Sequence, residues 1–510
     1  MGDVDSLYEE LQLSAMDSRF DKGGVMVVLF LRAQWFSLMR VVQQHIYLAT
    51  VNSFHENGLS SAGNPLANWT SSPRPTIPWW HEKYHQQFIK QVINLLSSIS
   101  CYLYEPFGGA RNSAVLVTGG LGYVGSHVCI ELLRRAYTIL IVDDLMNSFG
   151  SVVRDIGLTL EASGLGNLPS RRLIHISIDY GDPVSLDRAL VSYSRYLRVT
   201  GAMHLAASKP VAESLKNPWK YYENNVVKME TFLRLLGKHG IRNIVFSSSA
   251  TAYGCLPSEM ASKALNEDMV TIIGLDVNIK DTIAGLTPHG ISKIFGEAMI
   301  KKFVDDHPRR RAVVFRLFNP VGCNPFGYLK ENPRDYQWCG GGVMQKIKKA
   351  VVDDTVLQVF GGGGDGGDGS CIRDFVHVGD IARGIVMGFE DCLRVDETKK
   401  RCKVYNLASG KGVSVKQPLK GIENESGAIV KIEDCQKRRE GDVPISIGDM
   451  EKVRSELGWR PELRLADICR HFVGLMVLEN MLEKDRILYT CTRTNSIQVS
   501  RAKITSLDIW

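Results

Sequence analysis

From Ala114 onward, short apolar runs rich in β-branched residues alternate with stretches whose apolar positions recur every three to four residues. The runs are "AVLVTG" (114–119), "TILIVDD" (138–144), "RRLIHISI" (171–178), "AMHLAAS" (202–208), "NIVFSSSA" (243–250) and "RAVVFRLF" (311–318). Near-continuous apolar strands of this kind belong in a parallel sheet buried on both faces. Helical spacing appears between them, in "HVCIELLRRA", "DPVSLDRALVSY" and "KMETFLRLLGKHG". Asp182 is placed to cap the second of these with Pro183 at its first turn, and Gly240 to stop the third. "TPHGISK" (287–293) predicts a further helix start, with Thr287 as cap and Pro288 in the first turn. On that helix His289 and Lys293 share a face. Strand and helix alternating this often predict a doubly wound α/β sheet.

The pattern fails at both ends. Residues 1–112 hold irregular apolar runs and the loop-like "SSPRPTIPWW", and predict no fold; the stretch beyond about Lys484 is equally unassigned. "GVMVVLFL" (24–31) is apolar but is followed by Arg32, and a membrane span needs about 20 such residues. The Gly-rich "GGGGDGGDGS" (361–370) reads as a loop.

Composition changes this picture little. Of the 510 residues, 44% are hydrophobic and 23% charged, which is ordinary for a globular chain of two or three domains. A net charge of +6 spread over that length is too weak to argue for nucleic acid or a polyanionic surface, and we expect neither nucleic acid nor a membrane as partner. Eleven scattered cysteines without a CxxC pair, behind an acidic "MGDVDSLYEE", lead us to expect a reduced, cytoplasmic protein.

Chemistry concentrates at the strand ends. In "VLVTGGLGYVGSH" (115–127), Gly119, Gly122 and Gly125 lie between a strand and a helix. Their roles there are a tight turn, close approach of backbone to a pyrophosphate, and close helix–strand packing. Asp143 ends the second strand, where a carboxylate binds ribose hydroxyls and repels a 2′-phosphate, so NAD is expected over NADP. Asp179 ends the third strand, either facing the adenine end of a cofactor or serving as a plain strand-end cap. Lys209 follows the fourth strand, at the edge where ligands bind in such sheets. Three serines, 247–249, follow the fifth. Alone they read as a serine-rich turn; in a dry site a hydroxyl there could bond a substrate oxygen.

Together these segments resemble the extended short-chain dehydrogenase/reductase family, and within it the UDP-glucose (UDP-galactose) 4-epimerases. The resemblance runs from about Val115 to about Glu479. It is carried by "VLVTGGLGYVGSH", "DDLMNS", "KPVAESLKNPWKYYENNV", "NIVFSSSATAYG", "FRLFNPVG", "CIRDFVHVGDIARG", "VYNLASG" and "RREGD", in that order. It implies an unassigned extension at 1–112 and a Rossmann-type, doubly wound NAD-binding domain at 113–318. A smaller, partly interleaved α/β domain binding the UDP-sugar would span 319–479, with an unassigned tail at 480–510.

The resemblance also implies a chemistry. Hydride leaves C4 of a UDP-hexose for bound NAD while a base removes the O4 proton; the 4-keto sugar turns over and is reduced on its other face. By matching motifs, NAD is held by Gly119, Gly122, Tyr123, Val124, Gly125, Asp143, Asn147, Ser148, Asp179, Tyr180, Leu205, Lys209, Asn224 and Lys293. Ser249, His289 and Lys293 are the catalytic group. Ser249, Asn319, Gly342, Arg373, Arg439, Asp442 and Ser446 meet the UDP-sugar. No metal is implied, and a homodimer is.

The departures cluster around the reacting sugar. His289 stands where the family has its catalytic tyrosine. Leu317 replaces an aromatic residue and Gly342 an asparagine, and the stretch 255–286 is longer than the family's. A neutral imidazole accepts protons near pH 7 but is shorter than a phenol, so slowed catalysis and lost catalysis both stay open. The alternatives to an epimerase are a UDP-sugar- and NAD-binding homologue without turnover, or another nucleotide-sugar enzyme such as a decarboxylase. Ser446, small where a bulky residue would close the pocket, leads us to expect that N-acetylhexosamine forms also enter.

Overall fold

The structure is a computed structural model. It describes residues 113–165, 172–254, 264–270, 286–331, 342–361, 368–394, 400–436 and 441–494. The expectations for residues 1–112, for most of the Gly-rich run and for the chain beyond 494 lie outside these.

Seven parallel strands form the main sheet: β1 (Ser113–Thr118), β2 (Thr138–Val142), β3 (Leu173–Ile176), β4 (Arg198–His204), β5 (Asn243–Ser249), β6 (Arg311–Leu317) and β11 (Cys402–Leu407), in the order β11-β6-β5-β4-β1-β2-β3. The six runs read from the sequence are all there. β4 begins four residues before its predicted start, because Arg198 and Val199 pair with Ser113 and Ala114 at the beginning of β1, ahead of a register shift. The seventh strand escapes the pattern for a related reason: it lies at the sheet edge and opens on the half-buried Cys402 and Lys403.

Between and after the strands run α1 (Tyr123–Arg134), α2 (Val152–Ala162), α3 (Pro183–Ser194), α4 (Val211–Lys216), α5 (Pro218–Tyr222), α6 (Lys228–Lys238) and α7 (Pro288–Asp305). The predicted caps form. Asp182 accepts from the Val184 amide at 3.0 Å, Thr287 from the Gly290 amide at 3.2 Å, and Gly240 ends α6 with φ +66°. Alternate residues of β1 feed two cores. Val115 and Val117 pack with Ile139, Phe389 and Trp459 on one face; Leu116 packs with Leu140, Phe232 and Phe246 on the other. This two-sided burial is why the strands read as unbroken apolar runs.

The remaining chain builds a smaller body. It comprises β7 (Asn319–Val321), α8 (Val343–Val352), β8 (Leu357–Phe360), β9 (Ile372–Arg373), β10 (Phe375–His377), β12 (Val413–Ser414), α10 (Lys416–Ser426), β13 (Ile432–Cys435), β14 (Ile445–Ser446) and α12 (Leu465–Thr494), with its own core around Ile347, Phe375, Leu419 and Phe472. From within this stretch α9 (Val378–Leu393), β11 and α11 (Glu451–Leu457) return to the main sheet. The seven described cysteines are free, as expected. No helix of the described residues is long and apolar enough to cross a membrane.

A buried ion pair ties β6 to α7. Arg316, 0% exposed, meets Glu297, 1% exposed, through Nε to Oε1 at 3.0 Å and Nη2 to Oε2 at 2.8 Å. Burial opposes the guanidinium charge, and Glu297 more than offsets this, holding Arg316 above its ordinary range. Removing one partner of a buried pair leaves an uncompensated charge, which costs about 3–5 kcal/mol. We therefore expect Glu297→Gln to lower stability by about that amount in denaturant unfolding, and the apolar double variant Arg316→Met with Glu297→Leu to recover most of it. A Glu297→Gln protein as stable as wild type would show that the pair is not what holds β6 to α7.

Candidate active site

Strand order reverses at β1, with β2 on one side and β4 on the other, so a crevice opens at their carboxyl ends. Gly119 turns there with φ +69°, and a Cβ on it would lie 2.6 Å from the Ala206 amide nitrogen. A Cβ on Gly125 would lie 2.0 Å from the Gly119 carbonyl oxygen, so helix and turn touch. Gly122, which precedes α1 with no side-chain cap, has only the Gly119 oxygen near, at 3.3 Å. The start of α1 thus has room beside Gly122 and no side-chain cap, which suits a diphosphate.

A cleft of about 180 Å³ follows from this turn. Gly119, Gly122, Tyr123, Val124, Gly125, Asp143 and Asn147 line one side, and Tyr180, Leu205, Lys209 and Asn224 the other. Asp143 is held as an acceptor: Oδ2 takes the Leu121 amide at 2.9 Å, and Oδ1 takes the Leu145 amide at 3.1 Å and the Ser148 hydroxyl at 2.6 Å. Ser148 is fully buried behind it and orients the carboxylate rather than facing the cleft. Asp179 lies outside the lining, paired with Lys228 at 2.6 Å and accepting the Gly181 amide. The Tyr180 hydroxyl donates to the Asn224 carbonyl, joining the two walls.

Lys209, Leu205 and Val124 also line a second cavity of about 780 Å³, so the two adjoin along the sheet edge. Ser249, His289, Lys293, Asn319, Gly342, Arg373, Asp442 and Ser446 all reach it. β5 delivers Ser249, α7 delivers His289 and Lys293, and β7 delivers Asn319. β9 and β14 run parallel with Arg373 beside Ser446, and Arg373 Nη2 reaches Asp442 at 3.4 Å. Gly342 caps α8 with nothing nearer to its would-be Cβ than Glu331, at 3.6 Å. Arg439 lies outside the described residues.

The three residues expected to be catalytic have defined surroundings. Ser249 Oγ accepts the Thr251 amide at 3.2 Å and the Thr251 hydroxyl at 2.9 Å, which leaves its own O–H to donate into the cavity. Thr251 was missed in the sequence, although it lies inside the quoted serine motif and an ST-turn after a strand is a local signal. Lys293, 5% exposed, donates to the Ser247 carbonyl at 2.7 Å; burial lowers its pKa to about 8, against the pull of Glu297. His289 is 4% exposed, its ring edge-on to Tyr221 with centroids 6.0 Å apart. Burial first, then Lys293, bring its pKa down to about 3, and a backbone hydrogen bond with Ser208 pulls the other way. Nδ1 is sealed from solvent and has no partner among the described residues, so that hydrogen bond falls to Nε2. A ring held that low is neutral, and in this rotamer Nδ1 does not open onto solvent.

The sequence pattern of the NAD dependent epimerase/dehydratase family matches residues 115–408. The UDP-glucose 4-epimerase of Dictyostelium discoideum is 30% identical over 357 residues, covering 70% of this chain and 93% of its own. The Homo sapiens UDP-glucose 4-epimerase is 32% identical over 363 residues, covering 70% and 94%. Among solved structures, a Bifidobacterium longum UDP-glucose 4-epimerase in complex with NAD+ and UDP aligns with TM-score 0.61 at 30% identity, over 72% of this chain and 99% of that one.

The buried imidazoles make stability depend on pH. Burial brings His289, His204 and His377 to about 3 and His127 to about 4, below the 6.5 of an unfolded histidine. Below 6.5 the unfolded chain takes up protons that the folded one refuses, so stability falls as pH drops from 6.5 toward 4, by up to about 1.4 kcal/mol per pH unit for each ring. Unfolding midpoints measured across that window should show a steep decline, and His289→Phe should lessen it. An unchanged slope in that variant would mean that His289 titrates normally.

Proposed function

From its membership of the NAD dependent epimerase/dehydratase family, to which this chain belongs, we propose that it binds NAD and interconverts UDP-glucose and UDP-galactose by oxidation, rotation and re-reduction at C4. The observation that carries this is the joining of the two cavities at the carboxyl edge of the sheet. Ser249 and Lys293 lie in the second, between the glycine turn and Arg373. In this reading residues 113–318 hold the dinucleotide and 319–479 the UDP-sugar, and the compartment is the cytoplasm. The turn at Gly119–Gly125 fits a pyrophosphate, and the doubly oriented Asp143 fits the two hydroxyls of an adenosine ribose. NAD, when bound, supplies the hydride acceptor and donor for C4.

The chain's own residues do the rest. Arg373 offers a guanidinium fork to the diphosphate, beside Asn319 and Asp442. Ser249, with both lone pairs taken by Thr251, donates to O4 and steadies the oxygen as it becomes a carbonyl. Lys293 places a cation next to His289 and the bound ribose. His289 is the neutral ring in the base's position. To accept the O4 proton its Nδ1 must swing into the cavity, and the low basicity conferred by burial makes that transfer slow. Ser446 is small and buried at the rim, which supports entry of N-acetylated sugars as well.

Product analysis with UDP-galactose and with UDP-N-acetylgalactosamine tests both the reaction and the sugar range. His289→Tyr should raise the rate by on the order of tenfold or more, since it restores a longer base. His289→Phe should abolish turnover and leave NAD and UDP binding intact. Equal rates for wild type and the Phe variant would remove His289 from the reaction, and NAD and UDP binding without any product would favour a binder.

The same reading includes a homodimer. Trp219, 69% exposed, lies against Tyr222 with ring centroids 5.4 Å apart, and Val227 is exposed beyond them. An unpartnered apolar strip of this kind suits a second copy. Trp219→Glu should convert a dimeric protein to monomer in sedimentation velocity, and a wild-type monomer at tens of micromolar, roughly the range of weak association, would count against it.

A further inference from the structure

The other end of the main sheet carries charge that the epimerase reading does not use. Arg242 immediately precedes β5, Arg311 opens β6 and Arg401 immediately precedes β11. These strands are neighbours, and their backbones are bonded there: the Arg311 amide to the Arg242 carbonyl at 3.0 Å, and the Ala312 amide to the Arg401 carbonyl at 2.8 Å. Three arginines therefore start three adjacent strands, about 4.8 Å apart from one strand to the next. Arg394, Lys400 and Lys403 line a cavity there with Arg311 and Arg401, and Arg309 and Arg310 lie near His307. His307 beside them is held below its ordinary pKa, by desolvation first and then by Arg309, Arg310, Arg242 and Arg401.

Some of this charge has a structural use. Arg401 Nη1 caps the end of α7 on the Val304 and His307 carbonyls at 2.7 and 3.0 Å, and Arg310 bonds the Phe303 carbonyl at 2.9 Å. Lys403 pairs with Asp391 at 2.6 Å. The carboxylates nearby are already engaged: Asp305 with Lys301, Asp306 with Lys302 and Glu390 with Arg135. Arg242, Arg309, Arg311, Arg394 and Lys400 have no carboxylate partner among the described residues. A helix end supplies only about half a negative charge, so the ends of α7 and α9 do not balance five cations.

This edge is concave. A cavity of about 110 Å³ is lined by Arg311, Arg394, Lys400, Arg401 and Lys403, with Asp391 the acidic group in its wall. That volume is roughly three or four waters' worth, the scale of a phosphoryl group rather than a sugar. We propose that the amino-terminal edge of β5, β6 and β11 is a second anion site, separate from the UDP clamp, that takes the phosphate or diphosphate end of a small ligand. Convergent guanidinium and ammonium donors recognise that chemistry, and a dianion relieves the repulsion between cations that neighbouring strands otherwise hold side by side.

The probe is pyrophosphate, titrated calorimetrically into the full-length protein with UDP present at only the one equivalent that fills the carboxyl edge. One pyrophosphate should bind per chain, more weakly as salt rises. Arg394→Glu with Lys400→Glu, both exposed positions, should weaken it by about tenfold or more. The neutral pair Arg394→Gln with Lys400→Gln should fall between, so that a folding defect in the first variant does not decide the matter. Arg373→Ala, at the opposite edge, should leave it unchanged. No binding in the presence of UDP, binding indifferent to the charge reversals, or binding lost with Arg373→Ala would each overturn the proposal. None of these results depends on whether the chain epimerises a sugar.

Discussion

The pairing of Arg316 with Glu297 is the interaction on which the arrangement of the proposed reacting groups depends. One guanidinium joins the elements that carry them. Nε and Nη2 hold Glu297 on α7, while Nη1 and Nη2 reach the Glu267 and Val270 carbonyls at 3.0 and 3.1 Å. The Ser248 hydroxyl donates to the same Glu297 oxygen at 2.5 Å, which brings in β5 next to Ser249. The Tyr253 ring covers the guanidinium at 4.9 Å, and its hydroxyl donates to Asn406 on β11 at 2.7 Å. A buried charge this well satisfied does not favour folding much by itself, since both ions were taken from water. Its effect is on geometry: β5, β6, β11 and α7 are fixed in register, so Ser249, Lys293 and Asn319 converge from three elements without depending on loops.

That network was not legible in the sequence, and the reason is physical. Arg316 lies in the apolar run "RAVVFRLF", where a lone arginine reads as a strand residue pointing at solvent, and Glu297 is one of several polar positions on a helix. Only the third dimension brings them together. The elements themselves were legible because the sheet is buried on both faces and its strands are therefore continuous apolar runs. The caps were legible because Asp182, Thr287 and Gly240 act on backbone a few residues away. The strand at the edge was not, since one side of it meets polar surroundings and its pattern breaks at Lys403.

The site shows the same division. Gly119, Gly122, Gly125 and Asp143 act through local backbone, and the structure brings them to one cleft together with Asn147, Tyr180 and Lys209. Ser148 and Asp179 were read as ligand residues, and their placement is less direct: one holds Asp143 from behind, and the other is paired with Lys228. The rotamer of His289 was beyond sequence reasoning altogether. The replacement of a phenol by an imidazole was visible, and so was the helix face that His289 shares with Lys293. That burial would be the larger cause of its lowered pKa, and that Nδ1 would be left without a partner, depend on Tyr221 and the Ser208 backbone closing around the ring. An orphaned buried nitrogen costs on the order of 1–3 kcal/mol, so its retention beside Lys293 and Ser249 is a cost that packing alone does not explain.

A parallel sheet has two unlike ends, and this chain uses the difference. At the carboxyl end the strands run into loops and helix N-termini, which present amides and so favour anionic ligands held by a few added side chains. At the amino end, helix C-termini arrive with their carbonyls, and cations gather to meet them. Arg310 and Arg401 do that for α7. Once those carbonyls are satisfied, further cations repel one another, and neighbouring strands hold Arg242, Arg311 and Arg401 too close for water to screen them fully. The sheet that gathers the dinucleotide turn at one edge thus leaves a cationic opposite edge, where the proposed anion would be met.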